Sequence, residues 1–357
     1  MNVLWLANIP SPYRVNFFNE LGKYCKLTVL FERKASTERN ESWKNFNAEN
    51  FSAVFLRGIK LGVAEGFCPS VISKISRYYD HIVVTNFSDP TGMMAIAYMR
   101  FRKIPYEIES DGAFPGTGKG IKEKLKKWLL KKAIRYFSTA KIHDEYYMLY
   151  GAAKDRIVRY PFTSVFDKDI AISSLSAEEK LIIKNVYHIT EETVVLAVGQ
   201  FIHRKGFDVL IRASKKLHKS VGVYIVGGEP PKEYLDLINE LKVEHVHFID
   251  FVTPDILSYY YKVADVFVHP TREDIWGLVI NEALAYGVPV VTTNKCIAGT
   301  EMIDNGKNGF VVAAEDEEAL IKAILSCCQF EMFDNCVSIA KTYTFEKMVL
   351  SHINSWK

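Results

Sequence analysis

Cysteine is scarce in this sequence, and the cysteines that occur do not have the spacing of a metal site. Six are present among 357 residues, with no C-x-x-C pair and no accompanying pair of histidines, so neither zinc binding nor a disulfide framework is predicted. We expect reduced thiols in the core of a cytoplasmic protein, and no metal or other cofactor. The six are Cys25, Cys68, Cys296, Cys327, Cys328 and Cys336.

Long apolar runs and low-complexity tracts are missing as well. No stretch of about 18 apolar residues is available to cross a membrane, and residues 1–7 are too short, and lack the basic lead, for a signal peptide. Hydrophobic residues make up 48% and charged residues 24% of the chain, the proportions of a globular protein. A length of 357 residues predicts two domains of about 170 residues each.

Charge is distributed unevenly along the chain. Lys and Arg outnumber Asp and Glu by 26 to 15 up to Val165 and are outnumbered by 19 to 27 after it, which gives net charges of +11 and −8. A basic half beside an acidic half indicates an anionic partner for one surface. Composition alone leaves nucleic acid and a membrane both open.

Short apolar runs rich in β-branched residues alternate with amphipathic stretches. This α/β alternation predicts two doubly wound domains with parallel sheets, each binding ligands at the carboxyl ends of its strands. We expect domains at 1–165 and 193–340, a linker at 166–192, a C-terminal helix at 341–357 that packs back on the first domain, and a ligand site in the cleft between the domains. The predicted strands are 3–6, 27–31, 81–85, 194–198, 221–226, 246–250, 266–269 and 289–293.

A glycine-containing turn with two cations follows the first predicted strand of the second half. Gly199 ends that strand, and a helix is predicted to begin near Gly206. Because a helix N-terminus attracts phosphate, and Arg204 and Lys205 add two positive charges, the segment suits a diphosphate. An ordinary strand-to-helix turn with two exposed basic residues explains this segment equally well on its own.

A second strand, polar loop and helix follow further along the chain. Glu273 and Asp274 precede a helix that begins near Trp276 and Gly277, where acidic groups often serve only as caps. Glu282 lies within this otherwise apolar helix, and a buried carboxylate needs a hydrogen-bonding partner. Capping therefore accounts for the first two acids but not for Glu282.

Together these motifs resemble those of glycosyltransferase family 4, whose members have the GT-B fold of two Rossmann-like domains. The block from Asp274 to Glu282 is similar to the E-x7-E donor signature of the family, residues 199–206 to its phosphate loop, and residues 301–310 to its closing loop. The resemblance implies a retaining transfer of sugar from a nucleotide diphosphate donor held by the C-terminal half. Two positions differ from the family: Gln200 replaces a common Arg, and Asp274 is one methylene shorter than Glu.

Roles for individual residues follow from the resemblance. Lys205, with Arg204, is assigned to the donor diphosphate, and Glu282 to the ribose hydroxyls through its two carboxylate oxygens. Asp274, or its neighbour Glu273, is assigned to the hydroxyls of the transferred sugar. The other residues assigned to the donor are Gly199, Phe251, Val252, Trp276, Gly277 and Leu278.

The N-terminal half carries candidates for the acceptor. Tyr13 and Arg14 end a loop with two prolines that is predicted to be rigid, although a plain turn is an equal alternative. Asp111 stands where many members of the family have a His beside the reacting sugar. The resemblance therefore makes Asp111 a candidate for orienting the acceptor hydroxyl, with a simple Asp-Gly turn as the alternative.

A strongly basic segment lies at 119–137, with eight Lys and Arg against the single acid Glu123. Apolar residues near helical spacing predict one amphipathic helix here. We expect it to contact anionic lipid or a pyrophosphate-linked acceptor instead of being an ordinary solvated helix, and no nucleic-acid-binding motif accompanies the charge. The lysines assigned to this contact are Lys126, Lys127, Lys131 and Lys132.

The sequence thus predicts a glycosyltransferase that extends a lipid-linked glycan acceptor. We expect it to act at the inner face of the membrane, in bacterial cell-surface polysaccharide synthesis. Cations and helix amides are expected to stabilise the leaving diphosphate without a metal ion. Two alternatives stay open, because fold alone does not determine function. They are a nucleotide-sugar epimerase on the same fold and a non-catalytic sugar-nucleotide-binding scaffold at the membrane.

Overall fold

The structure, a computed structural model, describes residues 1–34, 47–61, 65–116 and 119–357. These residues divide into two compact units. The first comprises Met1–Thr163 together with Phe345–Lys357, and the second comprises Ser164–Thr344.

The first unit is built on a parallel sheet. Its strands are β1 (Asn2–Ala7), β2 (Lys26–Phe31), β3 (Phe51–Phe55), β4 (Ile59–Leu61), β5 (Glu65–Phe67), β6 (His81–Val84), β7 (Glu107–Glu109), β8 (Arg135–Ser138) and β9 (Ile157–Arg159), and its first four helices are α1 (Pro12–Leu21), α2 (Pro90–Arg102), α3 (Ile121–Leu130) and α4 (Lys141–Leu149). Within the described residues the sheet has the order β3-β2-β1-β6-β7-β8-β9, and β4 and β5 form a separate antiparallel pair. Central strands such as β1 are apolar and buried, as expected for a parallel sheet covered on both faces.

The second unit contains another parallel sheet. Its strands are β10 (Thr193–Val198), β11 (Val221–Val226), β12 (Val246–Ile249), β13 (Val266–His269), β14 (Val290–Thr293) and β15 (Gly309–Val312), and its helices are α5 (Ala177–Val186), α6 (Phe207–Ser214), α7 (Lys232–Leu241), α8 (Pro254–Val263), α9 (Leu278–Ala285), α10 (Ile297–Met302), α11 (Glu317–Gln329) and α12 (Phe333–Ala340). The strand order in the described residues is β12-β11-β10-β13-β14-β15. The expected α/β class with two doubly wound parallel sheets is confirmed.

The last helix of the chain, α13 (Phe345–Trp356), belongs to the first unit. It is fastened to β7 by two buried carboxylates, because the indole of Trp356 donates to Glu107 at 2.8 Å and the imidazole of His352 contacts Glu109 at 3.0 Å. The alternation of β7 places both glutamates on one face of the strand. The unit therefore takes its last helix from the distant end of the chain.

The segment expected to be a linker, residues 166–192, lies within the second unit. Its helix α5 packs against α8. The Lys180 ammonium also pairs with the Asp265 carboxylate at 2.9 Å, just before β13. The boundary between the two units therefore lies between Thr163 and Ser164.

The predicted basic helix at 119–137 is wrong in its extent. Helix α3 ends at Leu130, and β8 begins at Arg135, because the apolar residues Tyr136 and Phe137 are buried within the parallel sheet. The apolar side of α3 is also less buried than a core helix would be. Its exposed apolar residues are Ile121, Leu125 and Trp128.

Within the described residues, no helix combines the length and apolar character needed to cross a membrane. All six cysteines carry free thiols. Four are buried, whereas Cys25 is partly exposed and Cys328 is exposed, so the expected core position does not hold for these two.

Candidate active site

The carboxyl ends of β10 and β13 lie side by side in the second unit, at the point where the strand order reverses. In open α/β sheets this is the position where ligands bind. Gly199 follows β10 directly, and the loop 270–277 follows β13. Both segments singled out in the sequence therefore meet at this edge of the sheet.

The loop after β10 carries the two cations on a 3-10 turn, His203–Lys205. The side chain of Lys205 is only 14% exposed and lies against Gly199, where a Cβ would stand 3.6 Å from the lysine Cε. Gly199 also has a φ of +154°, which residues with side chains rarely adopt. Arg204 is more exposed, and its guanidinium donates to the Glu273 carbonyl at 2.8 Å.

The Asp274 carboxylate faces these cations. Its Oδ2 accepts from Lys205 Nζ at 2.7 Å and from His269 Nε2 at 3.0 Å, while Oδ1 accepts the Trp276 backbone N–H at 3.4 Å and lies 3.6 Å from Arg204. Burial by itself would raise the pKa of Asp274, but His269 and Lys205 hold this pKa far below its usual range. The carboxylate is therefore ionised throughout the working pH range.

His269 is a residue of this site that the motifs did not indicate. It is the last residue of β13 and fully buried, and burial lowers the pKa of its imidazole, so the ring is neutral. Because a carboxylate can only accept, the ring proton lies on Nε2 and is donated to Asp274. Nδ1 has no hydrogen-bond partner in the part of the chain that the structure describes. The sequence offered one signal for His269, which is its position at the end of an apolar strand.

Helix α9 begins behind Gly277, whose φ is +101° and whose Cβ would lie 2.8 Å from the Cys296 sulfur. Its first amides, including that of Leu278, are at the positive end of the helix dipole. The ring of Trp276, assigned to the donor, is instead buried, and its Nε1 donates to Asn281 at 2.8 Å. Trp276 is therefore a packing residue, because its indole is enclosed by the protein.

Glu282 lies on α9 and is partly exposed. Ser164 Oγ donates to its Oε1 and Tyr261 OH to its Oε2, both at 3.1 Å. Burial raises the pKa of Glu282, and these two hydroxyls oppose the rise. Each carboxylate oxygen thus keeps an acceptor position for a further donor.

The remaining residues assigned to the donor are more open. Glu273 is exposed, and its carboxylate has no hydrogen-bond partner among the described residues. Phe251 is 56% exposed and Val252 is partly exposed in the loop after β12. Because the carboxyl ends of parallel strands share one edge, this loop lies at the same edge as the cations.

Arg272 is a second residue that the motifs did not indicate. Its guanidinium makes two 2.8 Å bonds to the Asp208 carboxylate on α6, pairs with Glu315, and donates to the His203 carbonyl at 2.7 Å. Its backbone N–H donates to the Arg204 carbonyl at 2.8 Å. Arg272 therefore fixes the loop that carries the two cations.

The candidates of the first unit form a closed cluster. Tyr13 and Arg14 lie in the first turn of α1 and not in the expected loop, because Pro12 suits the first helical position. Arg14 is 5% exposed, and its guanidinium pairs with both Glu109 and Asp111. Tyr13 OH donates to Asp111 at 2.6 Å. Arg14 is thus satisfied within the protein and is not available to a ligand.

Glu109 anchors this cluster from the end of β7. It is fully buried and also contacts His352 at 3.0 Å and Tyr160 at 3.3 Å. Burial opposes its ionisation, but Arg14 and His352 outweigh burial and lower the pKa of Glu109. The Asp111 side chain is 27% exposed, so Asp111 is the acid of the cluster that faces solvent.

Among the described residues, no set of three or more His, Cys, Asp and Glu side chains is arranged to hold a metal. The sequence does contain an Asp-x-Asp triplet at Asp167–Asp169, which forms a 3-10 turn. Asp169 accepts the Phe166 backbone N–H at 3.3 Å, so it caps this turn.

Comparison with known families fits this geometry. The sequence profile of the family described as "Glycosyl transferases group 1" matches residues 192–329, which include the cationic loop, Asp274 and Glu282. The matched residues all lie in the second unit, which is therefore similar to group 1 glycosyl transferases. The resemblance to glycosyltransferase family 4 that the motifs indicated is confirmed.

Two curated glycosyltransferases are also similar in sequence to part of this chain. An uncharacterised glycosyltransferase of Methanocaldococcus jannaschii is 31% identical over 216 residues, 58% of this chain and 54% of that protein. A GDP-mannose-dependent alpha-(1-6)-phosphatidylinositol monomannoside mannosyltransferase of Mycolicibacterium smegmatis is 32% identical over 192 residues, 47% and 50% of the two chains. The chain therefore spans about half the length of these curated relatives.

Solved structures identify the fold as GT-B. Anabaena HepE in complex with UDP superposes with a TM-score of 0.77 at 16% identity, over 99% of this chain and 100% of that one.

Proposed function

We propose that this protein is a glycosyltransferase whose nucleotide diphosphate sugar binds at the carboxyl edge of the second sheet. The observation that carries the proposal is the Lys205 ammonium, held at 2.7 Å from Asp274 beside the N-terminus of α9. An ammonium has three N–H donors, so Asp274 leaves two of them for phosphate oxygens. Arg204 and the amides of Gly277 and Leu278 add further donors for an anion. HepE binds UDP and the mycobacterial relative uses GDP-mannose, which supports a nucleotide diphosphate donor.

The nucleoside is proposed to lie along α9. Glu282 keeps one acceptor position on each carboxylate oxygen beside Ser164 and Tyr261, which suits the vicinal hydroxyls of a ribose. The exposed loop at Phe251 and Val252 is the candidate for the base.

The transfer step is proposed to retain the anomeric configuration and to need no metal ion. The acceptor oxygen forms a bond to the anomeric carbon on the face that the diphosphate leaves, the bond to the phosphate oxygen breaks, and that oxygen takes the acceptor proton. Lys205, Arg204 and the helix amides stabilise the charge on the departing diphosphate. NMR of the product tests this mechanism, since inverted anomeric configuration would contradict it.

Asp111 is proposed to orient the acceptor hydroxyl. Its carboxylate is held by Arg14 and Tyr13, while 27% of the side chain faces solvent. A fixed carboxylate can accept a hydrogen bond from a sugar hydroxyl and set its direction.

The acceptor is proposed to be a lipid-linked glycan at the inner face of a membrane in bacterial cell-surface polysaccharide synthesis. Helix α3 supports this, because its exposed apolar side chains Ile121, Leu125 and Trp128 are interleaved with lysines. The Arg100 guanidinium lies 4.2 Å from the centre of the Trp128 ring and adds positive charge. Exposed aromatic and aliphatic side chains among cations are typical of helices that lie on anionic lipid.

Sedimentation with vesicles of phosphatidylglycerol and phosphatidylcholine tests this contact. Changing Lys126, Lys127, Lys131 and Lys132 to Glu should release the protein from the vesicles while sparing nucleotide binding. A control with the same change in net charge replaces exposed lysines of the second unit by Glu and should stay bound. Its positions are Lys215, Lys219, Lys322 and Lys341. Equal release of both variants would contradict a specific contact by α3.

The function itself is tested in two steps. A thermal-shift screen of UDP, GDP and their common sugar conjugates should raise the melting temperature with one base family, because ligands that bind only the native state stabilise it. Transfer is then measured with glycolipid acceptors. Conversion of the donor without any acceptor would favour an epimerase, and binding without any conversion would favour a scaffold.

A further inference from the structure

The Asp274 carboxylate is already occupied by the protein. Its Oδ2 accepts from both Lys205 and His269, and its Oδ1 accepts from the Trp276 backbone and faces Arg204. An ionised carboxylate has about two acceptor positions on each oxygen, so Oδ2 is filled. With 7% of the residue exposed, little of Asp274 is left for a sugar hydroxyl.

We infer that Asp274 does not bind the transferred sugar but, together with His269, positions the Lys205 ammonium for the donor diphosphate. The inference rests on the proposed function and assigns roles within that site. It differs from the role that the family resemblance implied for Asp274. The shorter side chain gives the physical reason, because an Asp carboxylate stays closer to the backbone and here turns toward the lysine.

His269 is the second part of this arrangement. It is fully buried at the end of β13, and its Nε2–H holds the same Asp274 oxygen that holds Lys205. The Asp274 backbone is fixed as well, since its N–H donates to the Lys295 carbonyl at 2.9 Å and its carbonyl accepts the Ile297 N–H at 3.2 Å. A lysine side chain, which is flexible when free, is thereby held in one direction.

Glu273 is then the acid that faces the sugar. Its backbone carbonyl is held by Arg204 at 2.8 Å and by Thr271 Oγ1 at 3.0 Å. Its side chain is exposed, with no hydrogen-bond partner among the residues that the structure describes. A fixed backbone with an unoccupied carboxylate suits recognition of hydroxyls.

Comparing the affinity for a nucleoside diphosphate with the affinity for its sugar conjugate separates the role of Asp274 from that of Glu273. Affinities for UDP, UDP-glucose, GDP and GDP-mannose are measured by titration calorimetry, without acceptor. Asp274→Asn should change the affinity for the nucleoside diphosphate and for its sugar conjugate by the same factor, whereas Glu273→Gln should change only that for the conjugate. A change confined to the conjugate in Asp274→Asn, or no change at all, would overturn the inference.

His269 variants provide a test without a change in charge. Because the imidazole is neutral, His269→Leu leaves the net charge of the site intact, and it should weaken both ligands roughly tenfold, about the loss of one charge-assisted hydrogen bond. His269→Gln, whose amide can donate in place of Nε2, should stay within about twofold of the wild type. Equal loss in both variants, with native circular dichroism, would contradict the positioning role. A wild type that binds none of the four ligands would overturn the proposed function, and the inference with it.

Discussion

Each unit has a charged cluster at the carboxyl edge of its sheet, and the two clusters differ in how completely the protein satisfies them. In the first unit, the Arg14 side chain is 6% exposed between Glu109 and Asp111. In the second unit, the Arg204 side chain is 44% exposed, and among the described residues Lys205 pairs with one carboxylate, that of Asp274. The first cluster is therefore suited to hold the fold, and the second keeps donors free for an anion.

Removing Arg14, the cation of the first unit, should have the largest effect, a loss of stability. Arg14→Met leaves Glu109 and Asp111 without their shared partner, and breaking such a buried pair costs about 3 to 5 kcal/mol. Urea denaturation measures the loss of unfolding free energy. The matched variant Arg204→Met, at an exposed guanidinium, should change this free energy by less than about 1 kcal/mol. Similar losses in the two variants would remove the distinction between the clusters.

Removing Lys205, a cation of the second unit, should lower the transfer activity. Lys205→Met is expected to lower the rate of sugar transfer by about 100-fold, because an oriented donor for the developing charge is lost. Initial rates with a saturating acceptor measure the effect. Lys215→Met, at an exposed lysine directly after α6, is the control and should keep full activity. A fully active Lys205→Met variant would place the diphosphate elsewhere.

This asymmetry could be predicted from the sequence only in the second unit. There the cationic loop and the block from Asp274 to Glu282 are local motifs, and each follows an apolar strand that is easily identified. The partners of Arg14 lie 95 and 97 residues further along the chain, a distance over which no local pattern gives pairing. His269 and Arg272 were missed because a buried histidine and a loop arginine have no periodicity.

The basic segment shows a different limit of sequence analysis. Apolar residues near helical spacing continue from α3 into the strand β8, so a helical pattern and a short buried strand could not be separated. The exposure of Ile121, Leu125 and Trp128 could not be predicted either. The pattern of an amphipathic helix predicts an apolar face, but it does not show whether other residues cover that face.

The buried histidine His143 of the first unit offers a test by pH. His143 of the first unit contacts Ser110 at 2.8 Å and accepts the Thr139 N–H at 3.2 Å, and burial lowers its pKa to about 3 from 6.5. As pH falls below 6.5, His143 binds a proton in the unfolded chain but not in the native protein. Stability that is present above pH 6.5 is therefore lost between pH 6.5 and about pH 3.

Between pH 7.5 and pH 5, the wild type should therefore lose about 2 kcal/mol more unfolding free energy than His143→Gln. Denaturation curves at the two pH values measure this difference. Parallel losses in the two proteins would show that His143 is protonated in the native state.

The smallest expected effect concerns the space beside Lys205. Gly199→Ala introduces a Cβ 3.4 Å from the Phe207 ring and 3.6 Å from the lysine stem, with φ at +154°. We expect donor affinity to fall several-fold, consistent with about 1 kcal/mol of strain and displacement. Gly228→Ala, with φ at +109° and nothing within 4 Å of the new Cβ, is the control for strain alone. Equal donor affinities in the two variants would exclude a role for contact with Lys205.

A crystal structure with the nucleoside diphosphate that raises the melting temperature most tests the account of the second cluster directly. We expect a β-phosphate oxygen about 3 Å from Lys205 Nζ, with the ribose hydroxyls at Glu282. A nucleotide bound away from Lys205, or an empty carboxyl edge at saturating nucleotide, would contradict it.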